Sequence, residues 1–117
     1  MPPREISKLH ASVCQVFANP YRIEIIEALV KNERSTDELA KMMDTTAANI
    51  SQHIKLMRDR GVVLSERRGQ WIYHRLLNDD LKELFLFERE LLAGLFQRAA
   101  DIFDIENSAD NAPTQGE

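Results

Sequence analysis

The 117-residue sequence predicts a mainly α-helical domain with one small β-hairpin, on three observations. Apolar residues recur every three or four positions through most of the chain, the period of a helix with one buried face. Capping signals stand where those stretches should begin: Asn19-Pro20, Ser35 with Glu38, Thr45-Thr46, and Asn78. One interval breaks the helical period. There "VVLSER" and "QWIYHRL" are short, rich in β-branched and aromatic residues, and separated by an arginine and a glycine.

Each element follows from its own residues. Ile6, Leu9, Val13 and Val16/Phe17 mark a first amphipathic helix. Asn19 caps the second, and Pro20 suits its first position, where a missing N–H costs no hydrogen bond. Ile23, Ile26 and Val30 form its stripe, with Ile25 and Leu29 alongside. In "STDEL", Ser35 and Glu38 have capping-box spacing and open a short helix through Leu39 and Met42/Met43. Thr45 or Thr46 caps the next helix, which carries Ala47, Ile50, Ile54 and Met57 on one face and is closed by Gly61. Two strands around a tight Arg68-Gly69 turn make the hairpin.

Asn78 caps a last helix of about 26 residues ending near Phe103, roughly 39 Å long. Its Leu81, Leu84, Phe85, Leu91, Leu92, Leu95, Phe96, Ile102 and Phe103 cover more than one stripe, and a helix apolar on several sides needs a second partner. The first and last helices are therefore expected to form a homodimer surface, unless a kink at Gly94 folds the last helix back on its own core. Residues 1–104 are read as one folded domain that also carries the dimer surface. Residues 105–117, which include "ENSADNAPTQGE", are read as a disordered polar tail.

Composition narrows the function. No run of about 18 apolar residues is present and the N-terminus lacks an apolar signal core, so a cytoplasmic protein without a membrane partner is expected. The single Cys14 can form no internal disulfide and no multi-cysteine zinc site. It shares a helix face with His10 and is expected as a small buried thiol, with redox sensing through a symmetry-related Cys14 as the alternative. No nucleophile–base arrangement, Gly-rich phosphate loop or paired carboxylates can be recognised, and the only histidines are His10, His53 and His74. Neither an enzyme nor a cofactor is expected.

Charge points elsewhere. The chain carries a net −4, yet residues 52–75 hold six Lys/Arg (Lys55, Arg58, Arg60, Arg67, Arg68, Arg75) against Asp59 and Glu66, a local +4. Residues 79–117 balance at −7, which would limit nonspecific attraction to polyanions. The basic island coincides with a helix-turn-helix followed at once by a hairpin. In that motif the second helix enters the major groove of double-stranded DNA. Thr46, Asn49, Ser51, Gln52, His53 and Lys55 are its polar positions, and Asn and Gln suit bidentate pairing with adenine. Arg67, Arg68 and Gln70 are expected at the hairpin tip, with little else to hold them, against phosphates or the minor groove. Arg58 and Arg60 are expected either on phosphates or paired with Asp59 and Glu66. Trp71 and Tyr73 alternate, so they share a sheet face and are expected to pack there. Leu56 falls where a solvated residue belongs.

In that order, "ANPYRIEIIEAL", "STDELAKMM" and "NISQHIKLMRDRGVVLSERRGQWIYHRL" resemble the ArsR/SmtB family of winged helix-turn-helix repressors, over roughly residues 8–100. The resemblance implies a dimeric cytoplasmic repressor that binds a palindromic operator and releases it when an effector binds. Ser51, Gln52 and His53 match the family's recognition-helix motif, and Arg67, Arg68 and Gly69 its wing. Two departures weigh against the family's metal sites. Ser35 and Asp37 stand where many relatives carry Cys-x-Cys, and residues 78–104 contain no histidine beside Asp101 and Asp104. No metal site is expected and the effector stays open. The rival reading is a winged helix that docks on protein rather than DNA, which should expose apolar residues at the wing.

Overall fold

The computed structural model describes residues 2–104 with their side chains and traces its last helix to Gln115. The tail expected over 105–117 lies outside the fully described residues. Element order is α1 (Pro3–Cys14), a 3-10 turn (Gln15–Phe17), α2 (Pro20–Lys31), β1 (Arg34–Ser35), α3 (Thr36–Met42), α4 (Ala47–Asp59), β2 (Val63–Arg68), β3 (Trp71–Leu76) and α5 (Asp79–Gln115).

The caps behave as their residues require. The Asn19 side chain accepts from the backbone N–H of Tyr21 at 2.9 Å and of Arg22 at 3.3 Å, and Pro20 occupies the first turn of α2. Ser35 and Glu38 form the full capping box of α3. α4 ends in a Schellman turn: Gly61 has φ +75°, its N–H reaches Arg58 O, and the Val62 N–H reaches Met57 O at 2.9 Å. α3 ends the same way without a glycine. Asp44 takes φ +50°, with Asp44 N–H on Lys41 O and Thr45 N–H on Ala40 O.

The core of the first compact unit, Met1–Glu83, is apolar. Ile25, Ile26 and Leu29 of α2 are buried, as are Leu39 of α3, Ile50, Ile54 and Met57 of α4, and Val62, Val63 and Leu76 at the base of the hairpin. Val16 of the 3-10 turn joins them, and α2 packs on α4 and β3. Burial on this pattern contributes about 1.5–3 kcal/mol for each large aliphatic side chain. Ile23 and Val30, expected on the buried stripe of α2, are only half-buried, while Ile25 takes the core position.

The sheet differs from the expected hairpin. It has three strands in the order β1-β3-β2, all antiparallel, because Arg34 and Ser35 pair with His74 and Tyr73. The turn also shifts by one residue. Arg68 pairs with Trp71, so the two-residue loop is Gly69-Gln70, and Gly69 supplies the positive φ of +63° in its first position. Arg68 is thus the last residue of a strand rather than part of the turn.

α1 buries none of its residues, and Ile6 and Leu9 are both exposed. Cys14 is exposed too, contrary to the expected buried thiol, and it ends a helix with no buried residue. The second compact unit begins at Leu84, within α5, and that helix runs without interruption through Gly94 and past the expected end at Phe103. Phe85 is buried, with the Arg89 guanidinium 5.3 Å from its ring centre. Leu84, Phe87, Leu91, Leu92, Leu95, Phe96, Ile102 and Phe103 are exposed.

Candidate nucleic-acid interface

α4 is held from below and open above. Ile50, Ile54 and Met57 are at most 2% exposed, which fixes the rotation of the helix and turns its polar positions outward. Thr46 is its N-cap, accepting from the Asn49 N–H at 3.1 Å, while the Asn49 carboxamide donates to Thr45 Oγ1 at 3.1 Å. Both residues were expected to read DNA, and both already hold the helix start. Thr46 keeps its hydroxyl proton and Asn49 its carboxamide oxygen for a ligand. Ser51 and Gln52 are exposed, with no side-chain hydrogen bond among the described residues. Leu56, at a position where a solvated residue was expected, is half-buried.

His53 is positioned by α2, a connection without a signal in the sequence pattern. Its ring stacks on Tyr21 at 5.4 Å between centres, and Arg22 Nη1 lies 3.4 Å from its Nδ1. Burial first, and then the Arg22 charge, hold its pKa below the ordinary value, so the ring is neutral at pH 7. A guanidinium can only donate, so Nδ1 accepts and the proton sits on Nε2. Arg22 also donates to Val16 O at 3.1 Å and Gln15 O at 2.7 Å, tying the 3-10 turn to the same point.

The basic side chains divide into free and engaged. Lys55 pairs with Asp59 at 3.1 Å, both exposed, an arrangement that a phosphate can readily replace. Arg60 donates to Gln15 Oε1 at 3.0 Å, and Arg58 is exposed with no side-chain hydrogen bond among the described residues. Neither therefore makes the expected pair with Asp59 or Glu66, because Lys55 and Arg68 occupy those carboxylates.

Register separates the two wing arginines. Arg67 opposes Ile72, and Ser65 opposes His74, so these share the face whose inner end enters the core. Arg68, Trp71, Glu66 and Tyr73 lie on the other face. Arg67 Nε donates to Gly69 O at 3.2 Å, leaving its outer nitrogens available. Gln70 is exposed in the loop. Arg68 was expected to lack partners, yet its guanidinium makes two hydrogen bonds to the Glu33 carboxylate, one of 3.0 Å to Glu66, and sits 4.8 Å above the Tyr73 ring centre. These bonds hold Arg68 above its ordinary pKa, Glu33 being the larger cause, and hold Glu33 below its own. Trp71 and Tyr73 share a face as expected, but Trp71 is 42% exposed and only Tyr73 is half-buried. Trp71, Ile72 and Gln70 line a cleft of about 190 Å³ with Ser51, Thr36 and Asp37, so α4 and the wing open onto one surface.

A buried histidine joins the wing to α3. His74, 3% exposed, meets Ser65 Oγ through Nδ1 at 2.7 Å and Thr36 Oγ1 through Nε2 at 2.8 Å. Burial, with the nearby Arg58 charge, lowers its pKa to about 4. Among the described residues, no three His, Cys, Asp or Glu side chains gather as metal ligands, and no helix is long and apolar enough to cross a membrane.

Comparison with known proteins places this geometry. A family model described as a helix-turn-helix domain matches residues 17–66. The transcriptional repressor SmtB of Mycobacterium tuberculosis is 33% identical over 85 residues, 73% of this chain but only 63% of that protein. The helix-turn-helix regulator Rv0081 of the same organism is 33% identical over 107 residues, 90% of this chain and 94% of that protein. Its crystal structure superposes with a TM-score of 0.75 at 31% identity, covering 86% of this chain and 99% of that one. A homodimeric winged helix-turn-helix DNA-binding domain of Mycobacterium bovis, Mb0332, shares the fold at TM-score 0.76 and 21% identity, over 84% of this chain and 93% of that one. The chain has the winged helix-turn-helix fold and belongs to the ArsR/SmtB family of transcriptional regulators.

Proposed function

We propose that this chain is a homodimeric repressor that binds a palindromic DNA operator and leaves it when an effector other than a metal at the family's usual sites binds. Residues 1–104 act as one DNA-binding and dimerisation domain. Gln52 and Ser51 read base edges from α4, with Asn49, Thr46 and the Nε2–H of His53 beside them. Lys55, Arg58, Arg67 and Gln70 meet the backbone, and Arg68 joins them when a phosphate draws it from its carboxylates. The exposed apolar residues of α1 and of α5 each supply dimer surface, and a two-fold dimer presents two recognition helices to successive major grooves. The observation that carries this reading is α4 itself: three buried residues lock its rotation while Ser51 and Gln52 face out with no side-chain hydrogen bond among the described residues.

A second reading, docking on another protein, draws on Trp71 and Ile72, which are 42% and 43% exposed on the wing. Fluorescence anisotropy separates the two. A duplex from just upstream of the chain's own gene is compared with a scrambled duplex at several salt concentrations, with chelator and reductant present. Tight, salt-sensitive preference for the native duplex is the expected result. Equal weak binding to both, or none, gives first place to docking.

A further inference from the structure

We propose that Glu33 is a positioning residue of the wing: with Glu66 it holds Arg68 on the sheet face opposite Arg67 and withholds that charge from DNA. This rests on the DNA-binding reading above and names a control on the same surface. The geometry is specific. Glu33 immediately precedes β1, Arg68 ends β2, and β3 lies between them in the sheet. Arg68 therefore crosses the central strand over the ring of Tyr73 to reach Glu33 on the far side. Both terminal nitrogens are taken: Nη1 by Glu33, and Nη2 by Glu33 and Glu66, each at 3.0 Å. Three of the five guanidinium N–H donors are engaged, the Nη1–Nη2 edge fully and the Nε–Nη2 edge at Nη2. The Tyr73 ring lies against one face, so no two-donor edge is free for a phosphate.

The charge count changes accordingly. Glu33, Glu66 and Arg68 form a cluster of net −1, so Arg68 contributes nothing to the basic island while the latch is closed. All three side chains are more than 40% exposed, so solvent and salt reach the pairs and a phosphate can compete for the guanidinium. Arg75, whose charge also acts on Glu33, lies on the same face and continues to attract that carboxylate when Arg68 leaves. Arg67 needs no such exchange. The latch thus makes the second wing contact conditional, which lowers affinity for any duplex that does not draw Arg68 away.

A four-protein cycle tests this: wild type, Glu33→Gln, Arg68→Ala and the double variant, each titrated onto native and scrambled duplexes across salt. Glu33→Gln is expected to tighten binding to both duplexes about threefold to tenfold and to steepen the slope of log K against log salt by about 0.9, the release for one added phosphate contact. In the Arg68→Ala background the same substitution should change affinity less than about twofold. Equal tightening in both backgrounds would mean that only the field of a removed carboxylate was felt, and it overturns the latch. Weaker binding by Glu33→Gln overturns it too, because Glu33 would then present Arg68 rather than withhold it. Unchanged binding by Glu33→Gln beside a functional wild type rejects the latch alone. Failure of all four proteins to bind any duplex rejects the DNA-binding reading, and the latch with it.

Discussion

α4 and the wing draw on similar polar and basic residues, and the fold treats them in opposite ways. α4 is anchored by apolar contacts, so its outward side chains can stay unpaired without loss of structure. The outer wing has no apolar anchor: Ile72 and Trp71 are exposed, and its order comes from polar pairs, with Arg68 on Glu33 and Arg67 on Gly69 O. Only the base of the hairpin is buried, through Val63, His74 and Leu76. A surface held from behind can leave polar groups such as those of Ser51 and Gln52 free for a ligand. One held through its own polar groups must exchange some of them, as Arg68 must.

The largest effect should come from removing the anchor. Ile54→Ala deletes a side chain that is 2% exposed and should cost about 2–5 kcal/mol in urea unfolding, whereas Ile72→Ala, 43% exposed, should stay within about 0.5 kcal/mol. Similar losses at the two sites would erase the contrast. Next comes the reading of bases. Gln52→Ala should cost about 1–3 kcal/mol of discrimination between native and single-base-changed duplexes. Arg67→Ala should instead weaken both duplexes alike and lower the salt slope by about 0.9. Equal losses on all duplexes for Gln52→Ala would remove it from base reading.

The smallest effect is expected at the wing's polar base. His74 has its pKa lowered to about 4 from an ordinary 6.5, so the unfolded chain binds the extra proton first as pH falls. The stability this histidine contributes is full above pH 6.5 and is lost progressively as pH falls toward 4. After allowance for solvent screening it amounts to about 1–2 kcal/mol. Urea midpoints measured across that window for wild type and His74→Gln should converge toward the acid end. Parallel curves would show that His74 does not carry the pH dependence.

Much of the architecture was legible from near neighbours in the chain. Asn19, Ser35 and Thr46 cap helices because a side-chain oxygen two or three residues before an unpaired N–H is already in reach. Ile50, Ile54 and Met57 face inward because helical spacing places them on one side. Gly61 and Gly69 sit where the backbone needs a positive φ. The candidate site was legible to the same depth: its side chains could be assigned to a helix face and a hairpin, but not their partners.

Those partners come from distant parts of the chain. β1 is two residues long and is a strand only because β3 offers it an edge. Asp44 takes a left-handed backbone with no glycine to announce it. Tyr21 and Arg22 fix His53 from 31 or more residues away, Thr36 meets His74 across 38, and Glu33 captures Arg68 across 35. The sequence by itself determined the helices, their caps, the hairpin and the location of the basic island, because short-range hydrogen bonds and apolar periodicity act within a few residues. Only the tertiary structure decided which of those charges stand free, because an arginine's availability depends on the carboxylate that folding brings beside it.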